Sequence, residues 1–259
     1  MARHRHKPSG AGVWLYGRHA VTAALGNPAR RWRRLAVLAG REEEAAALVA
    51  GARAVRRQGG AAIAVFDHNG FAAILPRHAV HQGLALEVEP LSEPDLDDVL
   101  EGIRSSGGRC IIVVLDQLSD PQNIGAVLRS AAAFGAIAVA VLASRAPPIT
   151  GALAKAASGA LESVSLIRVI NLSRALDRLK KAGFWICGLH ETAPHVLAEF
   201  DAGERVAIVL GSEGGGMRRL VRERCDFLAR LPTRPAQPTL NVSNAAAIAL
   251  YELSRARDS

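Results

Sequence analysis

Between Cys110 and Leu231, short apolar runs alternate with amphipathic stretches at a nearly regular spacing, and that alternation predicts most of the architecture. Cys110–Leu115 and Arg205–Leu210 are near-continuous apolar runs, the pattern of strands covered on both faces. Further strands are predicted over Ile137–Leu142, Val164–Val169, Phe184–Leu189 and Phe227–Leu231. Helices are predicted over Ile124–Phe134, Thr150–Ala157, Leu172–Ala182, Arg218–Arg224 and Ala245–Leu253. This rhythm predicts an α/β fold with a doubly wound parallel sheet. Ligands of such sheets bind beyond the carboxyl ends of the strands.

Upstream, a smaller α/β unit is predicted, with strands over Arg34–Leu38, Ala61–Phe66 and Leu84–Val88. Its helices are Arg18–Leu25, Arg41–Gln58 and one that Asp67 caps and Leu75 ends before Pro76. Helix Arg41–Gln58 carries acids at its start and Arg56 and Arg57 at its end, as the helix dipole favours. Four segments follow: a disordered basic tail over residues 1–10, a first domain over 11–89, a linker over 90–108 and a larger domain over 109–259. The linker holds Pro90, Pro94 and Gly107-Gly108 around an acidic helix, Asp95–Arg104, which can equally open the larger domain.

Composition adds two constraints. Aromatic residues make up only 4% of the chain, so Ala, Val and Leu must fill the core. Nine of the 32 basic residues precede the first carboxylate, Glu42. The excess charge of +8 therefore sits almost wholly at the N-terminus. A localised basic cluster suits a polyanion, through phosphate contacts and counterion release, and makes Arg18, Arg30, Arg31, Arg33 and Arg34 candidate RNA contacts. Cys110, Cys187 and Cys225 are odd in number and widely spaced, and read as buried thiols in a reducing compartment. The longest apolar run, Ala131–Ala143, has 13 residues, short of the ~20 that span a bilayer, and no secretory signal precedes it. A cytoplasmic protein is expected, with no membrane and no metal partner.

Three segments carry candidate chemistry, and each begins where a strand ends. The first is Leu115-Asp116-Gln117-Leu118-Ser119-Asp120-Pro121-Gln122-Asn123-Ile124-Gly125, with Arg129 one turn further on. Pro121 stiffens this loop and Asn123 can satisfy backbone groups at the helix start. Arg129 precedes Ser130-Ala131-Ala132-Ala133, which is expected to pack tightly, so the arginine needs a partner. The second is Leu210-Gly211-Ser212-Glu213-Gly214-Gly215-Gly216, and the third runs from Leu231-Pro232 to Thr239-Leu240-Asn241-Val242-Ser243-Asn244. Asn241 or Ser243 can cap the last helix, and Asn241 can also bond to Glu213. A dinucleotide site would need Gly-x-Gly-x-x-Gly after the first strand, and a Walker loop would need Gly-Lys-Ser/Thr; the chain has neither.

Taken in order, the three segments resemble the motifs of the SpoU/TrmH branch of the SPOUT methyltransferases. The resemblance covers about residues 110–257. It implies a deep trefoil knot, which no periodicity could indicate, and transfer of a methyl group from S-adenosylmethionine to a ribose 2′-hydroxyl of RNA. It implies a site built from Arg129, Glu213, Asn123 and Asn241, with Gly211, Leu231, Leu240 and Thr239 holding the cofactor, and a homodimer. Tyr16-Gly17-Arg18-His19-Ala20-Val21 and His81-Gln82-Gly83-Leu84-Ala85 make the first domain similar to the L30e-like RNA-binding domain of many members. That layout most resembles members acting on a guanosine of the peptidyl-transferase P loop of 23S rRNA. A tRNA guanosine is the second reading, and a non-catalytic RNA-binding assembly factor the third. The two-domain reading also implies that removing residues 1–89 leaves a cofactor-binding remainder.

Overall fold

Every strand predicted from an apolar run forms, in two separate sheets, within the residues that the computed structural model describes: 12–56, 62–106, 108–200, 203–234 and 240–255. The basic tail over residues 1–10 lies outside these.

The first sheet is mixed. It comprises β1 (Val13–Tyr16), β2 (Trp32–Leu38), β3 (Ala62–Phe66) and β4 (Leu84–Val88) in the order β1-β4-β2-β3. β4 runs antiparallel to β1 and β2, while β2 and β3 are parallel. β1 is an addition to the predicted set, because Val-Trp-Leu-Tyr is too short for its pattern to register. Helices α1 (Arg18–Gly26), α2 (Glu42–Arg56) and α3 (His68–Ile74) accompany this sheet. Asp67 caps α3 as expected, accepting from the Gly70 amide at 2.7 Å.

The second sheet has seven strands: β5 (Cys110–Leu115), β6 (Ala136–Leu142), β7 (Ser165–Val169), β8 (Trp185–Leu189), β9 (His195–Val196), β10 (Arg205–Leu210) and β11 (Phe227–Arg230). Their order is β7-β6-β5-β10-β8-β11-β9, and each pairing is parallel. All six residues of β5 are buried, because helices cover both faces. Ile112 and Val114 share a core with Leu96, Leu100 and Ile103 of α4 (Leu96–Ser106) and with Leu172, Leu176 and Leu179 of α7 (Leu172–Lys181). The acidic helix expected near residue 95 thus packs into this core. On the other face, α5 (Pro121–Ala133) lies against β6, and α9 (Val242–Arg255) lies against α5 and β10. Burial pushes the Cys187 and Cys225 thiols up to about 12; Cys225 is only half-buried, against the expectation of three buried thiols. Among the described residues no helix is long and apolar enough to cross a membrane.

The chain divides into two compact units that do not follow a single cut in the sequence. One holds the described residues up to Ser92 together with Ile149–Glu162, which includes α6 (Gly151–Ala156); the other holds the rest. The segment is built to fit its unit. A Cβ on Gly151 would lie 2.3 Å from the Trp14 carbonyl oxygen, so only glycine lets α6 approach β1 this closely. Removing residues 1–89 therefore strips Ile149–Glu162 of the strand it packs on, and the remainder is not a clean domain.

The same unit contains a buried ion pair. Arg30 donates to Glu162 through Nη2 at 2.6 Å and through Nε at 3.2 and 3.1 Å, while Nη1 reaches the Glu89 carbonyl at 3.1 Å. Asn27 Nδ2 adds a 2.7 Å bond to the same carboxylate. Arg30 is 4% exposed, so the expectation that it contacts RNA is corrected: its guanidinium is consumed inside the fold. Replacing Arg30 by alanine leaves a buried carboxylate without its counter-charge, and a loss of about 3–5 kcal/mol is expected in urea unfolding. Arg30→Met combined with Glu162→Met should recover at least half of it; equal losses in the single and double variants would show that the pair is not what matters there.

Candidate active site

Parallel pairing brings the sequence motifs to one edge. β5 and β10 pair in full register from Cys110 opposite Arg205 to Leu115 opposite Leu210, so the first two motif loops leave side by side.

The first loop runs into α5. This helix begins at Pro121, three residues earlier than expected, and its cap is Asp120, which accepts from the Gln122 amide at 3.2 Å and the Asn123 amide at 3.0 Å. Asn123 is thus not the cap. Relieved of that task, its side-chain oxygen accepts a 3.2 Å bond from Asn241 Nδ2.

The second loop folds back on itself. Ser212 and Gly216 exchange backbone hydrogen bonds at 3.2 and 2.9 Å, and Gly214 and Gly216 take φ of 79° and 60°, a region that favours glycine. Gly211 cannot carry a side chain, since its Cβ would sit 2.0 Å from the Gly216 carbonyl carbon. The fold-back presents Glu213 to the third segment: Oε1 accepts from Asn241 Nδ2 at 2.6 Å and from the Val242 amide at 3.3 Å. Asn241 Oδ1 accepts from the Ser243 amide at 2.9 Å, capping α9 as expected. One asparagine therefore ties all three motifs together, and a carboxylate sits at the amino end of α9, where the helix dipole favours it.

Beneath these loops Asp116 is fully buried. Its Oδ2 accepts from the Arg218 amide and its Oδ1 from Arg218 Nε, both at 2.8 Å. The sequence pattern gives Asp116 no role; its one signal there is an acid placed directly after a wholly apolar strand.

Leu231 and Leu240 line one open pocket of about 160 Å³, together with Pro232, Leu197, Ala198 and Ile248. Gly211 does not line it, and Thr239 lies outside the described residues. Arg129 is exposed on α5, and among the described residues its side chain has no hydrogen bond or ion pair. One expectation beside it needs correction: of Ala131, Ala132 and Ala133 only Ala131 is buried. The last two sit on the solvent side of α5. In the other unit, Arg34 pairs with Glu87 at 2.7 Å, Arg33 with Glu89 at 3.8 Å and Arg18 with Glu44 at 3.5 Å. Arg31 is exposed, without an ion pair among the described residues. Those residues hold no cluster of three or more His, Cys, Asp or Glu able to bind a metal.

A sequence profile of the SpoU rRNA Methylase family matches residues 110–251, just over half of the chain and the span of all three motifs. The chain belongs to the SpoU rRNA methylase family. Among its relatives, the 23S rRNA (guanosine-2'-O-)-methyltransferase RlmB of Coxiella burnetii is 38% identical over 245 residues, 94% of this chain and 96% of its own length. The protein of the same name from Escherichia coli strain K12 is 37% identical over 246 residues, 94% of this chain and 98% of its own. In fold, the SpoU methyltransferase AviRb from Streptomyces viridochromogenes, solved in complex with AdoMet, superposes with a TM-score of 0.76 at 23% identity, covering 96% of this chain and 91% of its own. The Asn123–Glu213–Asn241 cluster lies within the matched residues.

Gly211→Ala tests the close approach. The Gly216–Met217 backbone must move, and a cost of about 1–3 kcal/mol is expected from overpacking, with faster hydrogen exchange at the Gly216 amide. An unchanged unfolding midpoint and unchanged exchange would remove the steric argument.

Proposed function

We propose that this protein transfers a methyl group from S-adenosylmethionine to the ribose 2′-hydroxyl of a guanosine in 23S rRNA. The observation that carries this reading is the extent of the likeness. Relatives of that name match both units at 37–38% identity over at least 96% of their own length, and the motif residues converge on one sheet edge.

The residues present suit the cofactor. The pocket is mainly apolar, lined by Leu231, Leu240, Pro232 and Leu197, with Thr233 and Glu252 as its polar lining, the mixture an adenine site uses. It is smaller than the ~300 Å³ at which ligand pockets begin, so it fits one part of that molecule. When bound, S-adenosylmethionine would supply a sulfonium methyl group to the ribose 2′-oxygen, with the thioether S-adenosylhomocysteine as leaving group and the hydroxyl proton passing to solvent water. Glu213, held by Asn241, orients the loop beside the cofactor, and Asn123 fixes that asparagine from the first motif. Thr239 belongs to the same proposed set. Arg129 has a guanidinium with no partner among the described residues. A guanidinium presents N–H donors and no acceptor, so it serves by pairing with the target phosphate and the developing oxyanion and not as a base. Catalysis in this scheme is mainly positioning.

Three further parts of the reading rest on the resemblance. The first unit is the L30e-like substrate domain, with Arg18, Arg31, Arg33 and Arg34 as its RNA contacts; Arg30 drops out. The last segment forms the knot, supported by Arg109, which precedes β5 and donates to the carbonyls of Leu253 and Ser254 at the far end of α9. The protein acts in the cytoplasm as a homodimer, supported by Ile248 and Tyr251, which are 42% and 47% exposed one turn apart on α9.

The test is a map of 2′-O-methylation across 23S rRNA, 16S rRNA and tRNA from a strain lacking the gene, complemented with wild type or Arg129→Ala. One 23S guanosine methyl is expected to vanish and to return only with wild type. Purified Arg129→Ala should bind S-adenosylmethionine in calorimetry within about threefold of wild type while kcat falls about 100-fold or more. A lost tRNA methyl would overturn the substrate, and no lost methyl with no cofactor binding would favour a non-catalytic RNA-binding role.

A further inference from the structure

The loop that carries Glu213 is held at both ends by one residue outside it. The Asp116 amide donates to the Leu210 carbonyl at 2.8 Å, just before the loop. Its carboxylate takes the Arg218 amide and Nε, both at 2.8 Å, just after it. Between these anchors the chain closes through the Ser212–Gly216 pair. The seven residues 211–217 are therefore a sealed loop standing on a single aspartate.

We infer that Asp116 is the positioning residue of the site: its buried carboxylate clamps Arg218 and so sets where Glu213 meets Asn241. Three features support this. Asp116 is 0% exposed, so its charge is tolerated only with these partners. A main-chain and a side-chain donor of the same residue both bind it, which fixes the direction of the chain leaving the loop as well as its place. Arg218 itself is 43% exposed on its side chain, so it lends Asp116 a counter-charge without becoming a core residue. The loop's own residues cannot do this work, since four of the seven are glycines with little preference of their own. Asp116 makes no hydrogen bond to Asn241 or Asn123, and acts through the loop. The inference rests on the methyltransferase reading, because Glu213 must matter to the site for its placement to matter.

A residue that acts through Glu213 has an effect that disappears once Glu213 is disabled. Asp116→Asn keeps the shape but sets an amide N–H against one of the two donors. It is expected to weaken S-adenosylmethionine binding in calorimetry and to lower kcat, each about tenfold, with KM for RNA unchanged. Combined with Glu213→Gln, it should cost no more than Glu213→Gln alone, within about threefold. In the cofactor-free protein the Arg218 and Gly216 amides should exchange at least about tenfold faster, while β5 and β10 keep their protection. Arg218→Ala removes the side-chain contact alone and should give a smaller loss of the same kind, partly restored in Arg218→Lys; this pair decides the matter if Asp116→Asn fails to fold. Additive losses in the double variant, or faster exchange throughout β5 and β10, would make Asp116 an ordinary core residue and overturn the inference while leaving the enzyme reading intact. A wild-type protein that binds no S-adenosylmethionine would overturn the enzyme reading first.

Discussion

Parallel pairing between β5 and β10 is the constraint on which the rest of the larger unit depends. Parallel neighbours in full register must end at the same edge of the sheet, so loops almost a hundred residues apart in sequence leave side by side. Burial on both faces makes that register hard to slip, because a shift of one residue would exchange the side chains packed against α4 and α7 for those packed against α5 and α9. Everything chemical is then short-range. Asp116 and Gly211 follow the same last ladder pair, Leu115 opposite Leu210, and Asn241 lies within hydrogen-bond reach of both Asn123 and Glu213.

The site is polar but placed where polarity is cheap. Asn241 and Glu213 lie at the mouth of the sheet, and α9 begins there, so its first amides and its dipole stabilise the carboxylate. Asp116 is the exception, a charge wholly inside the protein. Buried ion pairs contribute little net stability, yet they penalise alternative arrangements strongly. A glycine-rich loop with few preferences of its own is a place where such a penalty specifies geometry. The other unit uses the same device: Arg30 and Glu162 tie a segment from the middle of the chain to a unit built mainly from its start.

How much was legible divides along a physical line. Apolar runs located every strand but β1 and β9, because burial on both faces leaves a strong one-dimensional trace. Helix ends were read less well. α5 starts at Pro121 because Asp120 caps it, whereas the apolar pattern of the helix begins only at Ile124, directly after Asn123. Arg30 was indistinguishable from its basic neighbours, since its partner lies 132 positions away. The basic cluster is a linear feature, while burial is not.

The sequence by itself determined the class of fold, the order of strands along the chain and the residues that carry the motifs, because these depend on local composition and on spacing within about 20 residues. Tertiary structure alone decided which residues meet. Asn241 joins Asn123 and Glu213 across 118 and 28 positions, Asp116 takes Arg218 across 102, and Ile149–Glu162 leaves its sequence neighbours for the other unit. Long-range contacts follow from the closing of the sheet and the shapes that packing allows, and a linear pattern holds no record of either.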